Sequence, residues 1–271
     1  MAKMKAGYIG FSFGMPAEET DAFYAKTKEI GYQGTENLGM MLRSADDQDA
    51  IAKIKATGLT PLTLGWFFRD GVSPDPEDLI RRCQAIGCNR VTCMGGEISN
   101  YKFLSKKEKP TFDEIRREID AMEAAAVALD REGIVMAFHN HDWEFTMAYE
   151  GLPAYYHMIA NSEKLKFLLD CGWATYGGVD PVKLINDLGP RIAALHIKDF
   201  IPGEITNPQG VSMPRFTTPG TGKLDIHNVL KAGVENNVEW AIVEQDFMYN
   251  LSPIDTLTAA YLNMKETGYV E

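Results

Sequence analysis

Short apolar runs alternate eight times along this chain with longer segments of helical periodicity. Runs of four to eight residues between helices are typical of parallel strands that are covered on both faces. Eight strand–helix units in 271 residues predict an α/β protein, a (β/α)8 TIM barrel that forms a single domain over residues 1–271. The predicted strands are residues 7–11, 34–37, 60–67, 90–94, 134–138, 165–169, 192–197 and 240–243.

The predicted helices carry end signals of their own. Pro76 begins one of them and Gly87 ends it, in keeping with the preference for Pro at helix starts and Gly past helix ends. Thr111 and Glu114 fit a capping box. Residues 97–109 form a polar, lysine-containing segment, and residues 200–223 form a long loop rich in Pro and Gly. The predicted helices are residues 18–30, 46–56, 76–86, 112–131, 152–160, 225–235 and 253–267, with one more from 180–181 to 189–190.

The main alternative fold is an open doubly wound sheet. That fold would place a glycine-rich dinucleotide fingerprint after the first strand, and the sequence at residues 13–16, FGMP, is not one. The barrel is therefore the prediction, with no second-domain boundary.

Composition excludes several classes of partner. The net charge is −11, with Lys and Arg dispersed, which argues against nucleic acid and against an anionic membrane surface. No apolar run is long enough to span a bilayer, and the first residues do not fit a signal peptide. We expect a cytoplasmic protein, because its cysteines fit neither a zinc pattern nor a disulfide framework: Cys83, Cys88, Cys93 and Cys171.

Two of the five histidines stand together after the fifth predicted strand. His139 and His141 would point the same way if the strand continues that far, with carboxylates at Asp142 and Glu144. Two imidazoles on one side of a strand end could hold a divalent metal or move protons. A solvated, hydrogen-bonded polar turn is the alternative.

Polar residues also follow the other predicted strands, and the carboxyl ends of barrel strands meet at one mouth. Each residue alone fits a helix cap or a turn, as Asp170 would by accepting backbone N–H bonds. Together their like charges would repel unless a cation lay between them. Mixed His and carboxylate ligands suit Mn²⁺, Zn²⁺, Co²⁺ or Fe²⁺. The residues at the strand ends are Glu36, His139, His141, Asp170, His196, Lys198, Asp199 and Glu244.

Five motifs make the chain resemble the sugar phosphate isomerase/epimerase superfamily of xylose isomerase-like barrels: FHNHDWEF (residues 138–145), LDCGW (169–173), LHIKD (195–199), GTGKLD (220–225) and VEQD (243–246). The resemblance covers essentially the whole chain and implies a metal site of Asp170, His196 and Glu244. The family's fourth ligand, a Glu on strand five, falls on His139 here, as in a His-Asn-His branch of the family. This departure argues against a symmetric epimerase with two glutamate bases.

The resemblance implies an enzyme that acts on a small carbohydrate or a ketone derived from one. A divalent metal (Mn, Zn, Co, Fe or Mg) would chelate a carbonyl and an adjacent hydroxyl, and His141 or Glu244 would take the neighbouring proton. Reprotonation elsewhere gives isomerase or epimerase activity, and loss of a β-hydroxyl gives dehydratase activity. A DNA repair endonuclease is disfavoured by the net charge of −11. A non-catalytic binding module would need no vacant coordination position on the metal.

Other residues receive expected roles with their alternatives. Lys198 would stabilise an enolate oxygen or pair with Asp199, and Glu36 and Glu144 would bind substrate hydroxyls or orient a ligand. Residues 200–219 are expected to form a mobile lid or an oligomer contact. Trp143 and Trp173 would line a sugar pocket, whereas Trp66 and Phe67 fit barrel packing equally well. A phosphate site or a solvated loop is expected at Lys102, Lys106, Lys107 and Lys109, and structural roles at His157 and His227.

Overall fold

The computed structural model describes residues 2–13, 15–68, 72–93, 95–103, 108–207, 210–246 and 251–271. Within these residues, no helix is both long and apolar enough to cross a membrane. The strands in chain order, β1 to β13, are Lys5–Tyr8, Gly34–Thr35, Thr60–Pro61, Leu64–Trp66, Arg90–Cys93, Val135–His139, Ala148–Tyr149, Leu152–Pro153, Lys166–Asp170, Ile192–Ile197, Asp199–Thr206, Ser212–Thr217 and Trp240–Val243.

A curled parallel sheet of nine strands forms the centre of the protein, in the order β3-β2-β1-β13-β10-β9-β6-β5-β4. The two outermost strands, β3 and β4, are separated in sequence by Leu62 and Thr63 alone. β3 pairs with β2 while β4 pairs with β5, so this one stretch of chain closes the sheet on itself. The predicted (β/α)8 barrel is confirmed, and its third strand is broken in the middle.

Helices cover the outside of the barrel. The predicted Thr111–Glu114 capping box is present, and Asp75 accepts a hydrogen bond from the Glu77 N–H at the helix that Pro76 begins. The α-helices in chain order, α1 to α12, are Ala17–Ile30, Asn37–Met41, Gln48–Thr57, Pro76–Ile86, Glu97–Phe103, Phe112–Asp130, Trp143–Thr146, Ala154–Ala160, Cys171–Tyr176, Pro181–Leu188, Ile226–Glu235 and Pro253–Glu266.

Three predicted segments differ from the structure. The second strand ends at Thr35, because the Asn37 side chain accepts from the Gly10 N–H and donates to the Gly10 carbonyl instead of continuing the strand. Part of the polar segment 97–109 is the helix α5. The loop predicted at residues 200–223 contains an antiparallel hairpin of β11 and β12. Met213 and Phe216 of this hairpin pack against Trp173.

The barrel interior has two layers that decide where the site lies. Apolar side chains fill the middle of the barrel, and we call Leu62, Ala137, Leu168, Ala194 and Ile242 the apolar layer. Side chains of a strand point the same way at every second residue. The next inward positions are therefore His139 on β6, Asp170 on β9, His196 on β10 and Glu244 directly after β13, and we call these four residues the polar layer.

Candidate functional site

The four residues of the polar layer form one cluster. One ligand-type atom from each lies within 4.8 Å of the others, and His139, Asp170 and His196 are buried. They come from four neighbouring strands of the sheet, and the first and last are 105 residues apart in sequence (Glu244 minus His139). The predicted convergence at the carboxyl ends of the strands is thus present in the structure.

Each member of the polar layer has one buried polar atom that makes no regular hydrogen bond within the described part of the chain: His139 Nδ1, Asp170 Oδ2, His196 Nδ1 and Glu244 Oε2. Three of these atoms still have charged neighbours, because Glu244 Oε2 lies 2.7 Å from His196 Nδ1 and Lys198 Nζ lies within 3.2 Å of both carboxylate oxygens. Buried polar atoms are normally satisfied, and a cation between these four would serve all of them at once. Two imidazole nitrogens and two carboxylate oxygens are a donor set for a divalent cation such as Zn²⁺ or Mn²⁺. The cluster therefore fits the predicted metal.

Asp170 acts both as a cap and as a candidate ligand, through different oxygens. Its Oδ1 accepts the Trp173 N–H at 2.7 Å, and its backbone N–H donates to Asn140 Oδ1 at 3.0 Å. Oδ2 is left for the cluster. Burial raises the pKa of Asp170 to about 7, although Lys198 opposes the shift. Gly172 lets the chain pass close to β10, because a Cβ there would lie 2.3 Å from the Lys198 carbonyl oxygen.

His196 lies between two carboxylates. Its Nε2 is 3.2 Å from Glu36 Oε2, and its Nδ1 is 2.7 Å from Glu244 Oε2. Burial lowers the pKa of His196, but Glu244 and Glu36 outweigh this effect and raise it to about 10. The carboxylates thus favour a positive charge on or beside this ring, a condition that a divalent cation also satisfies. Glu36 contacts a candidate ligand and is placed to orient it.

Lys198 is a buried ammonium group beside the cluster, with 1% of the residue exposed. Its Nζ lies 3.2 Å from Asp170 Oδ2, 3.1 Å from Glu244 Oε2 and 3.2 Å from Asp246 Oδ2. Burial disfavours its charge, but these carboxylates raise its pKa above the ordinary value. Lys198 and His196 also overcome burial to hold the pKa of Glu244 well below its usual range.

Asp199 does not pair with Lys198. Its carboxylate accepts four backbone N–H groups, two on each oxygen, and these come from both ends of the hairpin segment. The alternative of a Lys198–Asp199 ion pair is therefore wrong. The four donors are Phe200, Gly220, Gly222 and Leu224.

His141 adjoins the cluster in an aromatic setting. Its ring lies 4.9 Å from the His139 ring and stacks on Trp143 at 4.8 Å. Trp173 meets the same ring edge-on at 5.4 Å. Burial, with a smaller contribution from Lys198, lowers the pKa of His141 to about 3, so the imidazole is neutral near pH 7.

Glu144 holds His141 in place through the backbone. Its Oε2 accepts the His141 N–H at 2.6 Å, and Ser99 Oγ lies 3.4 Å from Glu144 Oε1 and 3.5 Å from His141 Nδ1. Burial raises the pKa of Glu144 to about 7. Glu144 thus fixes the backbone position of His141, the candidate base.

The remaining predicted residues separate into packing and surface positions. Trp66 is fully buried and stacks on Phe68 at 5.7 Å, which is barrel packing, whereas Phe67 is 47% exposed. His157 Nε2 lies 2.8 Å from the Tyr149 carbonyl, in keeping with a structural role. Lys109 donates to the Ala148 carbonyl, Lys102 lies over the Tyr101 ring, and Lys106 and Lys107 fall outside the described residues.

Sequence reasoning missed three residues that contact the site. Asp246 pairs with Lys198, Ser99 contacts His141, and the Arg90 guanidinium lies 3.6 Å from Glu36. A signal existed for Arg90, because a charged residue beginning a buried strand must find a partner. Asp246 lies two residues past Glu244, and the period of a strand could have suggested it.

Comparison with known proteins gives a family and a fold. A family model described as xylose isomerase-like TIM barrel matches residues 24–256. A protein named inosose dehydratase from Clostridium botulinum (strain Alaska E43 / Type E3) is 30% identical over 125 residues, which are 42% of this chain and 41% of that protein. Another of the same name, from Geobacillus kaustophilus (strain HTA426), is 26% identical over 248 residues, which are 83% of this chain and 80% of that protein.

Solved structures agree in fold. A sugar phosphate isomerase/epimerase from Parabacteroides distasonis superposes with a TM-score of 0.71 and 17% identity, covering 98% of this chain and 96% of that one. The IolI protein with a bound zinc atom gives a TM-score of 0.68 and 17% identity, covering 98% of this chain and 99% of that one. At such identities the likeness concerns the fold alone.

Proposed function

Because the chain belongs to the xylose isomerase-like TIM barrel family, we propose that it is a metal-dependent isomerase or epimerase. Its substrate would be a small keto sugar or cyclitol. The chemical step would be the transfer of a proton from the carbon next to the substrate carbonyl to another carbon or to the other face. Relatives named inosose dehydratase support an enzyme acting on a molecule of this class.

The observation that carries the proposal is the polar layer itself, two imidazoles and two carboxylates whose ligand-type atoms all lie within 4.8 Å of one another. His139, Asp170, His196 and Glu244 would hold one divalent cation, of Mn, Zn, Co, Fe or Mg. Such a cation would supply Lewis-acid polarisation of the carbonyl, which acidifies the neighbouring C–H. The zinc atom in the IolI structure supports a metal in this fold.

We assign the proton transfer to His141. Its neutral ring can accept a proton, and negative charge developing on the substrate beside it would raise its basicity. Glu144 and Trp143 fix the position of the ring by a backbone hydrogen bond and by stacking. Glu244 is the less suitable base, because in this proposal its carboxylate would hold the cation, and it already lies within 3.1 Å of Lys198 Nζ and His196 Nδ1.

The other site residues would bind and stabilise. The Lys198 ammonium would stabilise negative charge on the substrate oxygen as the proton leaves. Glu36 would keep His196 oriented, and Trp143 and Trp173 would line the side of the pocket that meets the sugar ring. In this proposal the substrate would be a small carbohydrate. The enzyme would act in the cytoplasm, as a single chain or as a homo-oligomer.

A dehydratase is the second candidate, favoured by the name shared by the relatives of Clostridium and Geobacillus. It would use the same proton abstraction and then expel a β-hydroxyl, with an acid in place of the second base. One base of the His141 kind suits this reaction better than a symmetric epimerisation. An endonuclease of apurinic sites, the third class, is disfavoured by the net charge of −11, since a nucleic-acid groove is basic.

Metal analysis combined with a deuterium wash-in screen tests the proposal. The purified protein would be incubated in heavy water with ketoses, inososes and 3-keto sugars, and products followed by mass spectrometry and NMR. We expect one equivalent of divalent metal and deuterium at the carbon next to the carbonyl. Loss of one water from the product would select the dehydratase. Turnover without metal, or without solvent deuterium in the product, would contradict the proton-transfer scheme.

A further inference from the structure

Arg90 begins β5 at the amino end of the barrel, yet its guanidinium reaches Glu36 at the opposite end. Arg90 Nη2 lies 3.6 Å from Glu36 Oε1, and the two side chains are 6% and 0% exposed. Its Nη1 donates to the Ala193 carbonyl at 3.4 Å. The Arg90 side chain thus lies inside the barrel and contacts both β10, at Ala193, and the residue that follows β2, Glu36.

Glu36 links Arg90 to the polar layer. Its second oxygen, Oε2, lies 3.2 Å from His196 Nε2, and the other nitrogen of that ring, Nδ1, points at Glu244 Oε2. The contacts thus run from Arg90 through Glu36 to His196. An imidazole that ligates a metal is commonly oriented by a carboxylate on its second nitrogen.

We infer that Arg90 is a positioning residue that acts through Glu36 on the metal site. Through its ion pair with Oε1, Arg90 would keep Oε2 on His196 Nε2, and this would keep His196 Nδ1 turned toward the other three ligand atoms. The inference rests on the proposed function, because it presupposes that the polar layer binds a divalent cation.

A planar guanidinium suits this task better than any other side chain. It serves two groups at once, because Nη1 donates to the Ala193 carbonyl on β10 while Nη2 forms an ion pair at 3.6 Å with the Glu36 carboxylate that follows β2. No other Lys or Arg nitrogen in the described segments lies within 4.0 Å of Glu36. Without Arg90, the buried carboxylate would lose its fixed partner and would be free to turn away from His196.

The test compares metal affinity in two arginine variants, with Co²⁺ as the probe and a chelator as competitor. Arg90→Met keeps the side-chain volume but holds neither acceptor. Arg191→Met is the matched control, because Arg191 also donates to backbone carbonyls away from the site, those of Ile159 in α8 and of Leu165, which directly precedes β9. We expect Arg90→Met to weaken Co²⁺ binding by about 10- to 100-fold and to alter the visible Co²⁺ spectrum. Arg191→Met should change neither.

A double-mutant cycle with Glu36→Gln asks whether Arg90 acts through Glu36. If it does, Arg90→Met should weaken Co²⁺ binding little further in the Glu36→Gln background. The same loss in both backgrounds would overturn the inference, as would equal affinities of Arg90→Met and Arg191→Met. If Arg90→Met does not fold, Arg90→Lys replaces it in the cycle, since one ammonium cannot hold both acceptors. An Arg90→Lys affinity equal to that of Arg191→Met would then overturn it.

The parent protein separates this inference from the proposed function. If the unaltered protein binds no Co²⁺, Zn²⁺ or Mn²⁺ in stoichiometric amount, both fail. If it binds metal and the arginine variants bind equally well, the role of Arg90 alone fails.

Discussion

The apolar layer and the polar layer are neighbours on the same strands and have opposite physical characters. Ala137, Leu168, Ala194 and Ile242 are buried among other apolar side chains, so their burial stabilises the barrel. Two residues further along the chain, the polar layer places His139, Asp170 and His196 in an equally buried setting, with the partly buried Glu244 beside them, and charge is costly there. The barrel thus gains its stability in one layer and keeps its reactive groups in the next.

Because of this difference, substitutions in the two layers should affect different properties of the protein. A change in the apolar layer should lower the free energy of unfolding and leave the chemistry of the folded fraction intact. A change in the polar layer should remove metal or activity and leave the fold intact. Substitutions in each layer test this division.

His196→Ala should have the largest effect. It removes an imidazole that lies between Glu36 and Glu244, so bound metal should be lost and activity should fall to background. The affinity loss should exceed the roughly 10- to 100-fold range of groups that only orient a ligand. Metal analysis measures the loss of bound metal, and circular dichroism shows whether the fold is retained. His227→Ala, at an exposed histidine, is the control. An active, metal-free His196→Ala protein would contradict the metal site.

His141→Ala should separate proton transfer from metal binding. Removing a positioned base costs about 10² to 10⁴ in rate, while metal content should stay near that of the parent. The measurement is the rate of deuterium exchange from heavy water into a turned-over keto sugar. If exchange equals that of the parent protein, the base lies elsewhere and Glu244 becomes the first candidate.

Leu168→Ala is the reverse experiment, two residues before Asp170 on the same strand. Truncating a fully buried leucine should lower the free energy of unfolding by about 2–5 kcal/mol. Urea denaturation measures this loss, and Leu262→Ala, at a leucine that is 57% exposed, is the matched control. The metal affinity of the folded fraction should be unchanged. A large loss of metal binding in Leu168→Ala would show that the two layers are not separable.

Shortening the β11–β12 hairpin should have the smallest effect. Removing residues 202–214 and joining Ile201 to Arg215 through an Asn-Gly turn keeps the inner register pairs and Phe216 against Trp173. If the hairpin is a lid over the polar layer, kcat/KM should fall roughly tenfold while Tm changes little. Steady-state kinetics and thermal unfolding measure these two quantities. An unchanged kcat/KM would leave the hairpin without a covering role.

The barrel and the polar layer were predictable because both follow from local rules. Eight strand–helix units predict the barrel, and the polar residues at its strand ends include His139, Asp170, His196 and Glu244, which the family resemblance singles out as the metal ligands. These residues need only strand parity and the common mouth of a barrel to meet.

Contacts between distant residues were not predictable in the same way. Arg90 meets Glu36 along the inside of the barrel, and no periodicity of either strand indicates that a side chain will span that length. The hairpin was also missed, because Pro202, Pro214 and Gly203 are typical of loops. Pro214 is tolerated in β12 because the register shifts between Ile201 and Glu204, next to its partner position. The sequence alone does not indicate this register shift.

The single carboxylate of Asp199 has a consequence for how such a barrel can diversify. Asp199 ties both ends of the β11–β12 hairpin to the end of β10, because its carboxylate accepts the Phe200 N–H at the start of β11 and three N–H groups that follow β12. The β11–β12 hairpin is therefore a separate unit whose two ends are held in fixed positions. Its length and sequence can change in evolution or by grafting without moving His196, three residues earlier on the chain. The hairpin can in this way be exchanged as a unit while the polar layer keeps its place on the strands.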